Sequence, residues 1–389
     1  MNFDFTSFFT LPTKVYCGYN SVDLAGGEAK KIGIRKALLV TDKGVSAAGV
    51  TKPLLRSLES AGIPYEIFDD VPMDPNTQIV NKGCESLTES GCDGVITIGG
   101  GSALCAGKGI ALVATNAGNV RDYEGRERYK GPPLPVVAIP TTAGSGTEVS
   151  SVFIITDETR NDYKMAIGGY SCFPKVAILD PLLLRTLPPR QFIISGVDAL
   201  AHAIEATCTN QSSPLTDAIA YESIRLIIEN LPVAACTDDL DAKREQLLAS
   251  AMTNMACDNA NLGLAHATGQ PLGSYHIPHG LSVGIMLPYV MEYNLPACED
   301  KLARMAEVIR VVKEGMSLRE KATAAIDAVK ELYIKVDFPD RLTEDMAPKA
   351  RIPDMVPIAM GRPQVKANLR KAGEKDLAQI YQRAYEGWR

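Results

Sequence analysis

Residues 93–116 read DGVITIGGGSALCAGKGIALVATN. A short β-branched run ends at Ile98, GGGS (Gly99, Gly100, Gly101, Ser102) follows at once, and a helical stretch begins. Strand, glycine turn and helix in that order are the unit from which parallel α/β sheets are built. Glycine lets the backbone approach a ligand closely, and a helix start offers free N–H groups and positive potential to a pyrophosphate. The same stretch also serves as a plain tight turn. It is not a Walker A loop, because Lys108 is followed by Gly109 where Ser or Thr is required. It is not a G-x-G-x-x-G fingerprint either, since Leu104 stands where the third glycine is wanted.

The flanking sequence repeats the alternation. KALLVTD (36–42) and YEIFDDV (65–71) read as strands, as does LPVVAIPTT (134–142), while 50–62 and 76–92 read as helices. The expectation is a parallel sheet covered on both faces. Asp42 ends an early strand, where an acid either simply starts a turn or binds ribose hydroxyls and repels a 2′-phosphate, which favours NAD(H). A second polar loop, PTTAGSGTE (140–148), adds Thr141, Thr142 and Ser145 as cofactor candidates. Past Pro181 helical patterns dominate, at 195–209, 214–229, 244–259 and 317–335. The expected domains are 1–185, α/β, and 186–389, all-helical.

All four histidines of the chain fall between positions 198 and 279. GVDALAHAIEA places Asp198 and His202 four apart, so on a helix they share a face. NLGLAHATGQPLGSYHIPHG holds His266, His276 and His279. A carboxylate with imidazoles suits Fe(II), Zn(II) or a similar ion and needs no thiolate. Any one of these histidines could equally be a packed core residue.

Composition narrows the class. The 389 residues are 46% hydrophobic and 22% charged, with net charge -6. A soluble globular protein is expected, with no nucleic-acid or membrane partner. Nine cysteines without a C-x-x-C pair fit reduced thiols, and the cytoplasm is the expected compartment.

These stretches, with VAILDP (176–181), resemble the iron-dependent (group III) alcohol dehydrogenase family and run in its order. The resemblance implies a dehydroquinate synthase-like architecture: an α/β NAD-binding domain, a helical metal-binding domain, and a cleft between them. It implies Asp198, His202, His266 and His279 as metal ligands, and Fe(II) or Zn(II) as the ion. Gly99 to Ser102 match the pyrophosphate loop and Asp42 the ribose acid. A homodimer or larger assembly is also implied. Departures from the family pattern are Gln270 for a second His near the reacting centre, Cys105 for Asp, Cys257 for an aromatic, Val152 for Asn, and Leu369 for Pro.

The implied reaction interconverts a short primary alcohol and its aldehyde. His266, Gln270 and His276 are the residues expected nearest the chemistry, His276 as a candidate proton relay. Val152, Cys257, Gln270, Gln364 and Arg362 are the expected substrate-pocket set. With Lys366 and Arg370 nearby, the first expectation is an acidic aldehyde such as sulfoacetaldehyde. A neutral lactaldehyde or 1,3-propanediol type of substrate is the alternative, and a metallohydrolase using the same Asp/His set is the second.

Overall fold

The computed structural model describes residues 8–160 and 162–389. They form two compact units, Leu11–Pro188 and Pro189–Arg389, with residues 8–10 grouped with the second. The division falls between Pro188 and Pro189, against 185/186 in the sequence reading. Thr10 joins the second unit by exchanging hydrogen bonds with the Asn259 amide, at 2.7 and 3.1 Å.

The first unit runs β1 (Lys14–Cys17), α1 (Ala25–Lys31), β2 (Ala37–Val40), α2 (Lys43–Ala47), α3 (Lys52–Ala61), β3 (Tyr65–Phe68), α4 (Thr77–Ser90), β4 (Gly94–Gly99), α5 (Gly101–Val113), β5 (Gly125–Arg126), β6 (Val136–Pro140), β7 (Val152–Asp157), β8 (Tyr163–Gly168) and β9 (Val176–Leu179). Six strands form one parallel sheet in the order β1-β9-β6-β4-β2-β3. The inner strands β2, β4, β6 and β9 are buried at every position, as continuous apolar runs must be when both faces are covered. The alternation of strand side chains divides them between two cores. Leu38, Val40 and Val95 enter one, and Leu39, Ile96 and Ile98 the other.

The strand order reverses between β2 and β4. β3 lies on one side of β2, and the chain returns to the other side for β4. Open α/β sheets bind ligands outside the carboxyl ends of their strands at such a reversal. Asp42 follows β2, and Gly99 closes β4.

A second sheet, β5-β8-β7, is not part of the sequence expectation, and its β7–β8 pair is antiparallel. The all-parallel reading is corrected to that extent.

The second unit is helical: α6 (Pro189–Thr207), α7 (Pro214–Cys236), α8 (Leu240–Ala260), α9 (Leu264–Gly269), α10 (His279–Asn294), α11 (Glu299–Val308), α12 (Leu318–Lys335), α13 (Ile352–Met360), α14 (Pro363–Ala367) and α15 (Glu374–Glu386). Several run longer than the periodicity indicated. α6 begins at Pro189, where proline suits a first turn, and α7 continues through Pro232. Among the described residues no helix is long and apolar enough to cross a membrane.

α6 is wrapped by α7, α8 and α10 and is buried almost throughout its second half. α10 meets it through two glycines one turn apart. A Cβ at Gly280 would stand 2.7 Å from the Ile194 carbonyl oxygen and 3.0 Å from Asp198 Cβ; one at Gly284 would stand 2.6 Å from Val197 Cγ1. The obstacle at Gly280 is backbone, which cannot rotate aside. Gly280→Ala is therefore expected to lower unfolding stability by about 1–3 kcal/mol, the usual cost of overpacking. A denaturant midpoint equal to that of the unaltered protein would contradict this packing.

Candidate metal centre and glycine cradle

Asp198, His202 and Glu205 occupy one stripe of α6, at spacings of four and three residues. His266 enters from the first turns of α9. One ligand atom from each of Asp198, His202 and His266 lies within 4.8 Å of the others, and all three residues are buried. The His202 and His266 rings stack, with centroids 4.7 Å apart and planes 22° from parallel. His266 Nε2 is 4.0 Å from Asp198 Oδ1. Donors sharing one small ion at roughly 2.0–2.2 Å would stand somewhat closer than this, so the set is a slightly open version of a three-ligand site.

Glu205 explains the orientation of His266. Its Oε2 contacts His266 Nδ1, which directs Nε2 towards Asp198. Its Oε1 accepts the Ala265 N–H at 2.5 Å and the His266 N–H at 3.4 Å, satisfying donors exposed at the start of α9. A carboxylate behind a ligating histidine fixes the tautomer and raises ligand basicity. The sequence reading missed Glu205, although D-x-x-x-H-x-x-E puts it on the same stripe. The tail segment is held here too. Asn368 and Asn294 exchange amide hydrogen bonds at 2.8 and 3.0 Å, and a Cβ at Gly263 would lie 2.9 Å from Asn368 Oδ1.

Burial favours the neutral forms of all these groups. It pushes Asp198 up to about 6, opposed by the His279 imidazole. It pushes Glu205 up to about 7, opposed by the Ala265, Gly263 and His266 N–H groups. It drives His266 down to about 3. Asp198 Oδ1 and His266 Nε2 are buried without a hydrogen-bond partner. Such orphaned atoms are rare in proteins, and a cation held by oxygen and nitrogen accounts for both. The residues present therefore fit a divalent ion.

His279 opens α10 on the outer side of this group. Its side chain is 44% exposed and its Nε2 lies 3.9 Å from Asp198 Oδ1. It thus neighbours the three-donor set without belonging to it. His276 is exposed, with a left-handed backbone (φ 59) at the end of the 3-10 turn Gln270–Tyr275. Gln270, half-buried, begins that turn immediately after α9.

The remaining pocket candidates are dispersed. Cys257 is buried, its thiol pushed well above its usual range by burial and by the Asp258, Asp198 and Glu205 charges. Gln364, on α14 against α9, has a buried Oε1 without a hydrogen-bond partner. Arg362 is half-buried beside it in sequence. Arg370 is engaged elsewhere: its guanidinium lies 3.9 Å from the Tyr293 ring centroid and donates to the Tyr293 carbonyl. Lys366 is exposed. Val152 lies in the first unit, at the start of β7.

In that unit the cofactor candidates come together. Gly99 has φ +155, which glycine tolerates, and a Cβ there would lie 3.5 Å from Asp42 Oδ2. Asp42 also caps α2, accepting the Val45 N–H at 2.9 Å. Gly100 precedes α5 with no side chain capping the helix. A Cβ at Gly100 would meet Thr142 Cγ2 at 3.3 Å, and one at Gly101 would meet Ser145 Cβ at 3.0 Å. The Thr141 N–H donates to the Gly99 carbonyl at 2.9 Å. Ser102 Oγ accepts the Asp74 N–H at 3.3 Å. Three glycines, an uncapped helix start and a carboxylate at the strand-order reversal form a cradle suited to a dinucleotide.

Comparison with known proteins agrees with both halves. Residues 12–181 match the family model described as iron-containing alcohol dehydrogenase. Residues 192–385 match the C-terminal model of the Fe-containing alcohol dehydrogenase family. A 1,3-propanediol dehydrogenase of Citrobacter freundii is 37% identical over 97% of this chain and 98% of its own length. A lactaldehyde reductase of Escherichia coli (strain K12) is 35% identical over 95% and 97%. A crystal structure of 1,3-propanediol oxidoreductase superposes with a TM-score of 0.95 at 35% identity, covering 98% of this chain and 100% of that one. The chain belongs to the iron-containing alcohol dehydrogenase family and is an oxidoreductase.

Proposed function

We propose that the protein is a divalent-metal-dependent, NAD(H)-linked oxidoreductase that interconverts a short, neutral hydroxy-aldehyde and its primary alcohol. The observation that carries this reading is the buried Asp198–His202–His266 group with two orphaned donor atoms, backed by Glu205. A metallohydrolase would need the same group but not the glycine cradle or Asp42.

A divalent ion held by this group supplies Lewis-acid polarisation of a carbonyl oxygen, and a bound nicotinamide supplies or accepts the hydride. The chain's own residues do the rest. Asp198, His202 and His266 present oxygen and nitrogen in a dry setting where electrostatics are strong. His279 is proposed as a fourth ligand, supported by its place beside Asp198. Glu205 retains the proton on His266 Nδ1. Gly99, Gly100 and Gly101 admit the pyrophosphate, Thr141, Thr142 and Ser145 line its loop, and Asp42 receives the ribose hydroxyls. Gln270, in place of an imidazole, orients by hydrogen bonding and does not exchange protons near neutral pH. Proton transfer then falls to a cofactor ribose hydroxyl and solvent, or to the exposed His276.

Two observations favour a neutral substrate over an acidic one. Arg370 is spent on Tyr293 and Lys366 faces solvent. Gln364 places a buried amide oxygen without a hydrogen-bond partner against α9, and it can accept from a substrate hydroxyl. The 1,3-propanediol and lactaldehyde activities named for the relatives involve such hydroxyls. A cytoplasmic homodimer or larger assembly belongs to the same reading, and the nine cysteines, all free, are compatible with a reducing compartment.

Two outcomes are expected. Glu205→Gln should weaken metal retention about 10–100-fold while leaving the protein folded, as loss of a carboxylate behind a ligand does. Metal content after graded chelation measures it, and unchanged retention would remove Glu205 from the account. With Fe(II)- or Zn(II)-loaded protein, NADH oxidation should be faster with 3-hydroxypropanal and lactaldehyde than with succinic semialdehyde or sulfoacetaldehyde. A reversed order would restore Arg362 as an anion-binding residue.

A further inference from the structure

Lys108 lies two turns into α5, on the helix that starts at the glycine turn. It is 2% exposed. Lysine is almost never buried unless its charge is engaged. Here Nζ donates to three backbone carbonyls: Ser150 at 2.6 Å, Val152 at 3.0 Å and Thr147 at 3.4 Å. It also stands 5.6 Å from the Phe153 ring centroid. Burial holds the adjoining Glu148 carboxyl up at about 7, with Lys108 pulling the other way.

The Thr147 carbonyl lies near the end of the second polar loop, and those of Ser150 and Val152 follow just after it. Thr147 is bound back into that loop, since its N–H and Oγ1 donate to Ser145 Oγ at 3.4 and 3.1 Å. Ser145 in turn faces Gly101, at the start of the same helix that carries Lys108. One helix therefore presents the first half of the cradle at its N-terminus and grips the second half from its middle.

We propose that Lys108 is a positioning residue for the dinucleotide, holding the Thr141–Ser145 loop against Gly99–Gly101 so that both halves meet the pyrophosphate together. It acts as a clamp on carbonyls, not as the phosphate-binding lysine of a Walker A loop. The inference rests on the NAD(H) reading of the cradle.

The test uses the full-length, metal-loaded protein. NADH dissociation constants come from fluorescence titration, with KM for NADH and for 3-hydroxypropanal, metal content and thermal midpoint measured alongside. Lys108→Met keeps length and removes the donors. It is expected to raise Kd and KM for NADH by about tenfold, the worth of hydrogen bonds from a charged donor. KM for the aldehyde and metal content should change far less, and Lys108→Arg should recover most of the NADH affinity. Should Lys108→Met not fold, Lys108→Gln retains two N–H donors and should show a smaller loss of the same kind. Unchanged NADH affinity in a folded Met or Gln variant would overturn the proposal. So would an equal loss of NADH affinity, aldehyde KM and metal content, which would mark general damage. If the unaltered protein binds no NADH, the cofactor reading itself fails, whatever the variants do.

Discussion

The burial of one carboxylate, Asp198, conditions the whole helical unit. A charge removed from water costs several kcal/mol unless it is paired or coordinated. Here burial keeps the His266 imidazole neutral, and His279, at 3.9 Å, offsets only part of the cost of ionising Asp198. The surrounding packing holds the arrangement in place regardless. Glycines at 280 and 284 bring α10 onto α6, and Tyr381 ties α9 to α15 by donating to the Thr268 carbonyl. Glu205 joins the two helices that carry donors. A cation completes the charge balance, which makes metal binding and stability parts of one free energy.

The α/β unit solves a different problem, with backbone in place of side chains. The edge at its strand-order reversal is made of glycines and a helix start, with Asp42 and the hydroxyls of the second loop beside it. A reversal in strand order puts Asp42 and Gly99 side by side, though 57 positions separate them in the chain. The two family models match the two halves separately, residues 12–181 and 192–385.

Much of this was legible in the sequence because the signals were local. Continuous apolar runs marked the inner strands, GGGS marked the strand-to-helix turn, and the Asp198–His202 spacing marked a shared helix face. Glu205 carries no such signal, because a glutamate near a helix end is ordinarily solvated; only the fold brings the start of α9 against it. The β7–β8 sheet was missed because VFIITD and YKMAIG lack the clean alternation of a half-exposed pair. Lys108 has no legible role in the sequence, since a lysine clamping carbonyls 39 to 44 residues away follows no sequence pattern. The side chains around Gln364 and Arg362 were placed near the site by resemblance, and the engagement of Arg370 by Tyr293 depends on contacts 77 residues apart.

The proposed function depends on an all-oxygen-and-nitrogen metal centre built on α6 and α9, with His279 of α10 beside it and the Cys257 thiol outside it. X-ray absorption at the iron edge, on protein reconstituted anaerobically with Fe(II), tests it most directly. The account predicts oxygen and nitrogen scatterers at roughly 2.0–2.2 Å, outer-shell scattering from at least two imidazole rings, and loss of an imidazole contribution in His266→Ala. A sulfur scatterer near about 2.3 Å, or a shell without imidazole, would contradict it.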